Sequence, residues 1–180
     1  LDLAPDKQYY TNVRATDMVG NRSAAAASDG FQIDFTPPII TSISIPSETI
    51  LPLTEGIVLS YEVSELIQSA EVGVYSNEGT GVYDFDFAII DSHTIEISLP
   101  PPFTSGDMLK VSISNMKDRA DNASLRYDYE YPISLLGDFD LDGSIGIQDF
   151  NTFATAWQNQ DIRYELGPVV GEAPFFTPQF

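Results

Sequence analysis

The chain contains no cysteine. That absence excludes disulfides, thiolate nucleophiles and cysteine-based zinc sites. Its single histidine, His93, would have to serve any Ser-His-Asp hydrolase, and nothing near it has the pattern of a nucleophile elbow. Basic residues are scarce: 8 Lys and Arg stand against 27 Asp and Glu, a formal net charge of −19. Nucleic acid and anionic membrane surfaces are gripped through Lys and Arg, so neither is an expected partner. No apolar run reaches the roughly 18 residues of a membrane-spanning helix, so no membrane insertion is expected. The sequence opens LDLAPD, without methionine or a signal-peptide pattern, and reads as a processed chain or a segment of a longer one.

What is present is the composition of a globular protein, 43% hydrophobic and 12% aromatic over 180 residues. Most of the patterning has period two, the mark of half-buried strands, so the fold class is mainly β. In residues 1–36, Tyr9, Thr11, Val13 and Ala15 alternate with polar neighbours, DMVGN forms a turn, and Phe31, Ile33 and Phe35 follow as a second strand. Two strands need further partners to be stable in water. DFTPP then breaks the pattern with two prolines, as a stiff linker does. Residues 37–135 supply seven strand patterns. They are carried by Ile39/Thr41/Ile43/Ile45, Ile57/Leu59/Tyr61/Val63, Ala70/Val72/Val74, Tyr83/Phe85/Phe87, Ile95/Ile97/Leu99, Leu109/Val111/Ile113 and Tyr127/Tyr129/Tyr131. That number and rhythm fit an immunoglobulin-like β-sandwich of ordinary size.

An internal repeat supports tandem modules. Asp17-x-x-Gly20-Asn21-x-Ser23 is echoed by Asp118-x-x-Asp121-Asn122-x-Ser124, each position 101 residues after its counterpart. Residues 1–36 are therefore expected to be the final two strands of a preceding module. YYTNVRATDMVGNRS followed by DFTPP resembles the end of bacterial immunoglobulin-like or fibronectin type III repeats, and VSISNMKDRADNAS resembles the corresponding end of the repeats of S-layer and other surface proteins. That resemblance implies a sandwich fold and a spacer, adhesion or assembly role, with no catalytic residues.

Residues 136–163 carry the most specific motif. In GDFDLDGSIGIQDF, Asp138, Asp140 and Asp142 fall at positions 1, 3 and 5 of a twelve-residue EF-hand-type loop. Gly143 stands at the sharp turn, Ser144 offers a backbone carbonyl at position 7, and Asp149 closes the loop at position 12. Alternate carboxylates on a tight turn suit Ca2+, a hard cation that takes six to eight oxygens at about 2.3–2.6 Å. Phe150, Phe153, Ala154 and Trp157 recur at helical spacing, so a helix leaves the loop, whereas no helix pattern precedes it. This half-hand resembles the calcium repeats of bacterial dockerin modules over residues 137–158. The resemblance implies an extracellular, calcium-dependent fold and, in complete modules with two loops, docking onto a cohesin. No second D-x-D-x-D-G follows. The tail, residues 164–180, is rich in Gly, Pro and Phe; Phe175, Phe176 and Phe180 are expected to pack on the Phe150/Phe153/Trp157 stripe or on another subunit.

Other candidates weigh against a blander reading. Asn21 and Asn122 lie in N-x-S sequons within turns and are candidate N-glycosylation sites, or serve the turns themselves. Asp17 and Asp118 could ligate calcium between modules, but an Asx turn accounts for them more simply. Glu62, Asp84, Asp86 and Glu96 occupy the polar phase of strands, a solvated face rather than a glycosidase pair. Tyr127, Tyr129 and Tyr131 share one face and could stack sugars, though their phase runs on into Ile133 and the core. The reading that results is non-enzymatic: a calcium-stabilised structural segment of an extracellular surface protein or filament. Its partners would be other modules or copies of itself, including strand complementation. The alternative is a dockerin-type module that attaches a secreted enzyme to a cohesin scaffold.

Overall fold

A computed structural model describes the chain apart from residues 1–2, 5–6, 77–82, 165, 173–174 and 179–180 and the side chains of Ile162 and Pro178. The protein is mainly β, with antiparallel sheets and, among the described residues, one short α-helix. That helix is not long and apolar enough to cross a membrane.

The first strands make a hairpin. β1 (Gln8–Tyr9) pairs with β4 (Phe31–Gln32), and β2 (Asn12–Val13) pairs with β3 (Ala26–Ala27). Asp17 organises the turn between them. Its Oδ1 accepts the N–H groups of Val19 at 3.0 Å and Asn21 at 2.8 Å, and its Oδ2 accepts the Asn21 side-chain amide at 2.9 Å. An aspartate does this because its short side chain reaches the backbone two to four residues on.

Seven strands follow: β5 (Ile40–Ile43), β6 (Ile57–Val63), β7 (Ser69–Ser76), β8 (Asp86–Ile90), β9 (Thr94–Leu99), β10 (Met108–Lys117) and β11 (Tyr127–Pro132). They form a four-stranded sheet, β5-β6-β9-β8, and a three-stranded sheet, β11-β10-β7. The two sheets share one core, as in a β-sandwich. Leu59, Tyr61, Ile95, Ile97 and Leu99 from the first meet Val74, Leu109, Val111, Ile113 and Tyr131 from the second, all fully buried. Each such apolar side chain contributes about 1.5–3 kcal/mol by leaving water. Alternation puts them there: β9 reads TIEISL, and every second residue is buried. β8 and β9 are joined by a tight turn in which Asp91 and Ser92 both take positive φ, 50° and 57°, and the His93 N–H returns to the Ile90 carbonyl at 3.1 Å. That is the turn whose twist matches two antiparallel strands. The outer edge of β11 is covered, since Glu48 and Leu51 donate to the Glu130 and Pro132 carbonyls at 2.7 and 2.8 Å.

The inward phase fails in two strands, and in β8 Phe87 is 43% exposed. Ile39 and Thr41 do not share the inward phase with Ile43; Ile39 is exposed, and Ile40, Ile43 and Ile45 pack on the core. The ladder between β5 and β6 is irregular between Ile40 and Ser42, and such an irregularity moves the phase by one residue. The helix α1 (Ile147–Asn159) is present, and its aromatic stripe is covered only in part: Phe153 is half-buried against Phe139, while Phe150 is 62% exposed and Trp157 74%. The start of the tail reaches it, since Tyr164, Leu166 and Gly167 line one cavity with Phe153 and Trp157. β12 (Val169–Glu172) and β13 (Phe175–Pro178) form a hairpin of their own, which meets the sandwich where Ser105 N–H donates to the Phe176 carbonyl at 2.7 Å. Phe180 lies outside the described residues.

The repeat at 101 residues holds in three dimensions. Asp118 Oδ1 accepts the N–H groups of Ala120 and Asn122, both at 2.8 Å, and Asp118 Oδ2 accepts the Asn122 amide at 2.7 Å. Ser23 N–H donates to the Ala15 carbonyl at 2.9 Å and Ala15 N–H to Ser23 Oγ at 3.0 Å; Ser124 and Met116 make the same pair of bonds at the same lengths. Thr16 bridges Arg22 as Lys117 bridges Ala123. The Asx-turn reading of Asp17 and Asp118 describes what the side chains do.

Candidate metal centre

The loop hangs directly from the sandwich. The Leu136 N–H donates to Ser105 Oγ at 2.8 Å, and the Asp138 N–H to the Leu135 carbonyl at 3.0 Å. Gly143 turns the chain with φ +88°, which only glycine adopts without strain. A Cβ there would also crowd Ile50 Cδ1 of the sandwich at 3.2 Å, so that side chain would have to give way.

Two buried aspartates frame the loop. Asp138 Oδ1 accepts the Asp142 N–H at 3.2 Å, and its Oδ2 accepts the Gly143 N–H at 3.0 Å. Asp149 closes the loop and starts the helix. Its Oδ1 accepts from Phe139 at 2.7 Å and Asp140 at 3.2 Å, and its Oδ2 accepts from Gly146, the residue preceding the helix, at 2.8 Å. A carboxylate in the first helical turn also suits the helix dipole. These backbone donors, the Gly146 N–H foremost, hold the Asp149 carboxyl below its usual range despite burial. Burial pushes Asp138 the other way, aided by the neighbouring charges of Asp149 and Asp142.

Asp138, Asp140 and Asp149 bring carboxylate oxygens within 4.8 Å of one another. Asp142 is not in that group; its Oδ1 accepts the Ser144 N–H at 2.8 Å. Each carboxylate oxygen that accepts one N–H keeps capacity for a second partner. The donor set is oxygen only and anionic, which fits a hard divalent cation such as calcium and not the nitrogen and sulfur ligation of structural zinc. Phe139, between two of the aspartates, fixes the loop to the helix. Its ring stacks on Phe153 at 6.4 Å and meets Tyr164 edge-on at 5.2 Å.

A second group of carboxylates, Asp34, Glu65 and Asp118, also comes within 4.8 Å. It lies where the segment after β4 meets the sandwich, and the Asn122 amide donates to the Asp34 carbonyl there at 3.1 Å. Burial first, and then the charges of Asp34 and Asp118, raise the Glu65 carboxyl above its usual range. Sequence reasoning singled out Asp118 alone, because the three residues share no spacing that marks them as neighbours. The remaining candidates are surface features. His93 is exposed, Glu62 and Asp86 are exposed on their strands, and Asp84 is exposed just before β8. Tyr131 is fully buried and Tyr129 packs on Tyr61 at 5.0 Å, so these tyrosines face the core rather than a sugar. In both sequons the asparagine amide is engaged, to Asp17 in one turn and to Asp118 and Asp34 in the other.

The chain matches no family model and no curated protein sequence.

Proposed function

We propose that this protein is a non-enzymatic, calcium-stabilised structural segment of an extracellular multi-module surface protein or filament. The observation that carries the reading is the convergence of Asp138, Asp140 and Asp149 on a loop bonded to the end of a sandwich. An ion there neutralises charges that otherwise repel and ties the helix to the loop, so the junction stiffens. The immunoglobulin-like assignment is supported by the strand order. A four-stranded β5-β6-β9-β8 sheet facing β11-β10-β7 follows the ABED and CFG arrangement of constant-type domains. An acidic, cysteine-free chain suits a calcium-containing environment outside the cell. Titration calorimetry tests the reading. One calcium site of extracellular affinity, weaker than about 10⁻⁵ M, is expected. Asp138→Asn and Asp149→Asn each abolish or weaken it; an unchanged isotherm in both variants refutes the site.

A second reading, a dockerin-type module that docks on a cohesin, is favoured by one observation. Ile147, Phe150 and Trp157 leave an apolar strip of the helix exposed. Retention by immobilised cohesin domains in calcium, lost in Trp157→Ala, would move the assignment to that reading.

A further inference from the structure

Among the described residues, β8 pairs with β9 alone, which leaves one side of the strand open in the middle of the chain. Sheet edges are ordinarily kept from pairing by bulges, prolines, charges or a covering segment. The other edges of the sandwich have such guards. Glu48 and Leu51 cover β11, β5 has an irregular ladder and lies between Pro38 and Pro46, and β7 carries Glu71 beside an irregular ladder. In β8 the run Phe87 to Ile90, Phe-Ala-Ile-Ile, has no charge, no proline and an unbroken register with β9. Phe87 is 43% exposed there and Ile90 40%.

Hydrogen-bond parity decides which backbone groups face outward. The Val63 N–H donates to the His93 carbonyl at 2.8 Å, and Tyr61 pairs with Ile95, so Ile95 and Ile97 turn their backbone groups to β6. Thr94, Glu96 and Ser98 turn theirs to β8, where they meet Ile90, Ala88 and Asp86. The N–H and C=O groups of Phe87 and Ile89 are thus on the open side. Their side chains share the core face, opposite the buried Ile97 and Ile95, whereas Ala88 and Ile90 stand on the other face beside Glu96 and Thr94.

We infer that β8 is a self-pairing edge that joins two copies of this chain antiparallel about a twofold axis at Ala88. Phe87 exchanges both backbone hydrogen bonds with Ile89 of the partner subunit, which also covers the Phe87 ring on the core face. A twofold contact needs a patch that complements itself, and this register does. It pairs every residue of the strand. Asp86 falls opposite Ile90 of the partner subunit, Asp84 opposite Ser92 of the partner subunit and Asp91 opposite Phe85 of the partner subunit, so no carboxylate of the edge faces another. The neighbouring twofold registers, centred on Phe87 or Ile89, pair part of the strand with loop residues instead. A five-residue edge makes a weak contact, and the −19 charge of each copy opposes it, so association strengthens with salt. The inference goes beyond the calcium reading and does not rest on it.

The absence of cysteine makes the register directly testable. Ala88 meets its own counterpart in a pair without mutual hydrogen bonds, where Cα atoms lie about 4.5 Å apart, within disulfide reach. Ile90 is exposed on the same face but sits about 13 Å along the strand from its counterpart. In oxidised glutathione, with calcium or with chelator, Ala88→Cys should form a covalent dimer at least about tenfold faster than Ile90→Cys. Phe87→Pro removes an outward donor without breaking the β9 ladder. Added to Ala88→Cys, it should bring the rate down to that of Ile90→Cys, with the urea midpoint showing that the chain is folded. Sedimentation of the unsubstituted chain should show reversible association that strengthens with salt. Equal rates in Ala88→Cys and Ile90→Cys overturn the inference, as does faster reaction of Ile90→Cys. So does an unsubstituted chain that sediments as a monomer at every concentration. Dimer formation that is the same in calcium and in chelator, in a chain whose calorimetry shows no calcium binding, supports the edge and refutes the calcium reading alone.

Discussion

The hydroxyls of Tyr61 and Tyr131 meet at 3.1 Å across the core, one from each sheet. The Tyr131 hydroxyl donates its proton to the Ile45 carbonyl at 3.2 Å, so Tyr61 is the donor within the pair. Tyr131→Phe strands the Tyr61 proton and the Ile45 carbonyl together and should cost about 1–3 kcal/mol, whereas Tyr61→Phe leaves Tyr131 its carbonyl and should cost about 1 kcal/mol. Urea midpoints at unchanged m-value measure both.

The same burial predicts alkaline unfolding. Desolvation raises Tyr61 and Tyr131 above the ordinary tyrosine value, and burial with the Asp107 carboxylate pushes Tyr83 up to about 12. Below the unfolded value of 10.0 these hydroxyls are neutral in both states, and their contribution is complete. Above it the unfolded chain loses protons that the folded chain keeps, so stability falls as pH rises toward the folded values. The thermal midpoint should hold to about pH 9.5 and decline beyond it. Absorbance at 295 nm should show these tyrosines ionising together with unfolding; ionisation that precedes unfolding would contradict the assignment.

Asp17 and Asp118 make the same bonds, yet substituting them should have unequal consequences. Asp118 is 2% exposed and closes the connection between β10 and β11, while Asp17 closes a hairpin that lies outside the core. Asp118→Ala should lower global stability by about 1–3 kcal/mol, and Asp17→Ala by much less. Although burial opposes it, hydrogen bonds from the Asn122 side chain and backbone hold the Asp118 carboxyl below its ordinary 3.8. The stability it contributes is complete above that value and disappears as pH falls through the folded one. Acid denaturation of Asp118→Ala should therefore lack part of the wild-type slope below pH 3.8.

Much of this architecture was legible because long strands carry an uninterrupted code. In β6, β9 and β10 the apolar phase continues for several residues with one face buried, so alternation alone located the core. Where a bulge moves the phase, as at Ile40, the pattern is locally silent about which isoleucine turns inward. Spacing made Asp138, Asp140 and Asp149 readable as neighbours, but Asp142, set by the same spacing, lies outside their group. Phe139 was not readable, since its importance lies in touching Phe153 and Tyr164, fourteen and twenty-five residues away. The Asp34, Glu65 and Asp118 group was hidden for the same reason: only the fold brings it together. Helical spacing located α1 but could not say that Phe153 packs on Phe139 while Phe150 and Trp157 stay exposed, because periodicity records which residues share a face and not what covers it.

Gly143 offers a test of the loop that leaves every ligand candidate in place. A side chain there meets both a left-handed backbone and the Ile50 methyl at 3.2 Å. Gly143→Ala should destabilise the loop by about 1–2 kcal/mol and weaken calcium binding by roughly tenfold, read by calorimetry. Ile50→Ala added to it relieves the contact but not the backbone, so the pair of substitutions should recover only part of the affinity.

Phe139 is where loop geometry becomes helix geometry, and the only tryptophan reports on it. The Phe139 N–H is held by Asp149, and its ring stacks on Phe153, which packs in turn on Trp157 at 6.0 Å. Aromatic pairs of this kind contribute about 0.5–1.5 kcal/mol beyond their burial, so Phe139→Ala should cost about 1–3 kcal/mol while leaving all carboxylates in place. In the wild type, calcium should tighten the chain Asp149–Phe139–Phe153 and alter Trp157 emission. In Phe139→Ala the heat of calcium binding should persist at reduced affinity while the emission no longer follows it. An emission change of wild-type size in that variant would mean that the loop reaches the helix through Asp149 and Gly146 alone.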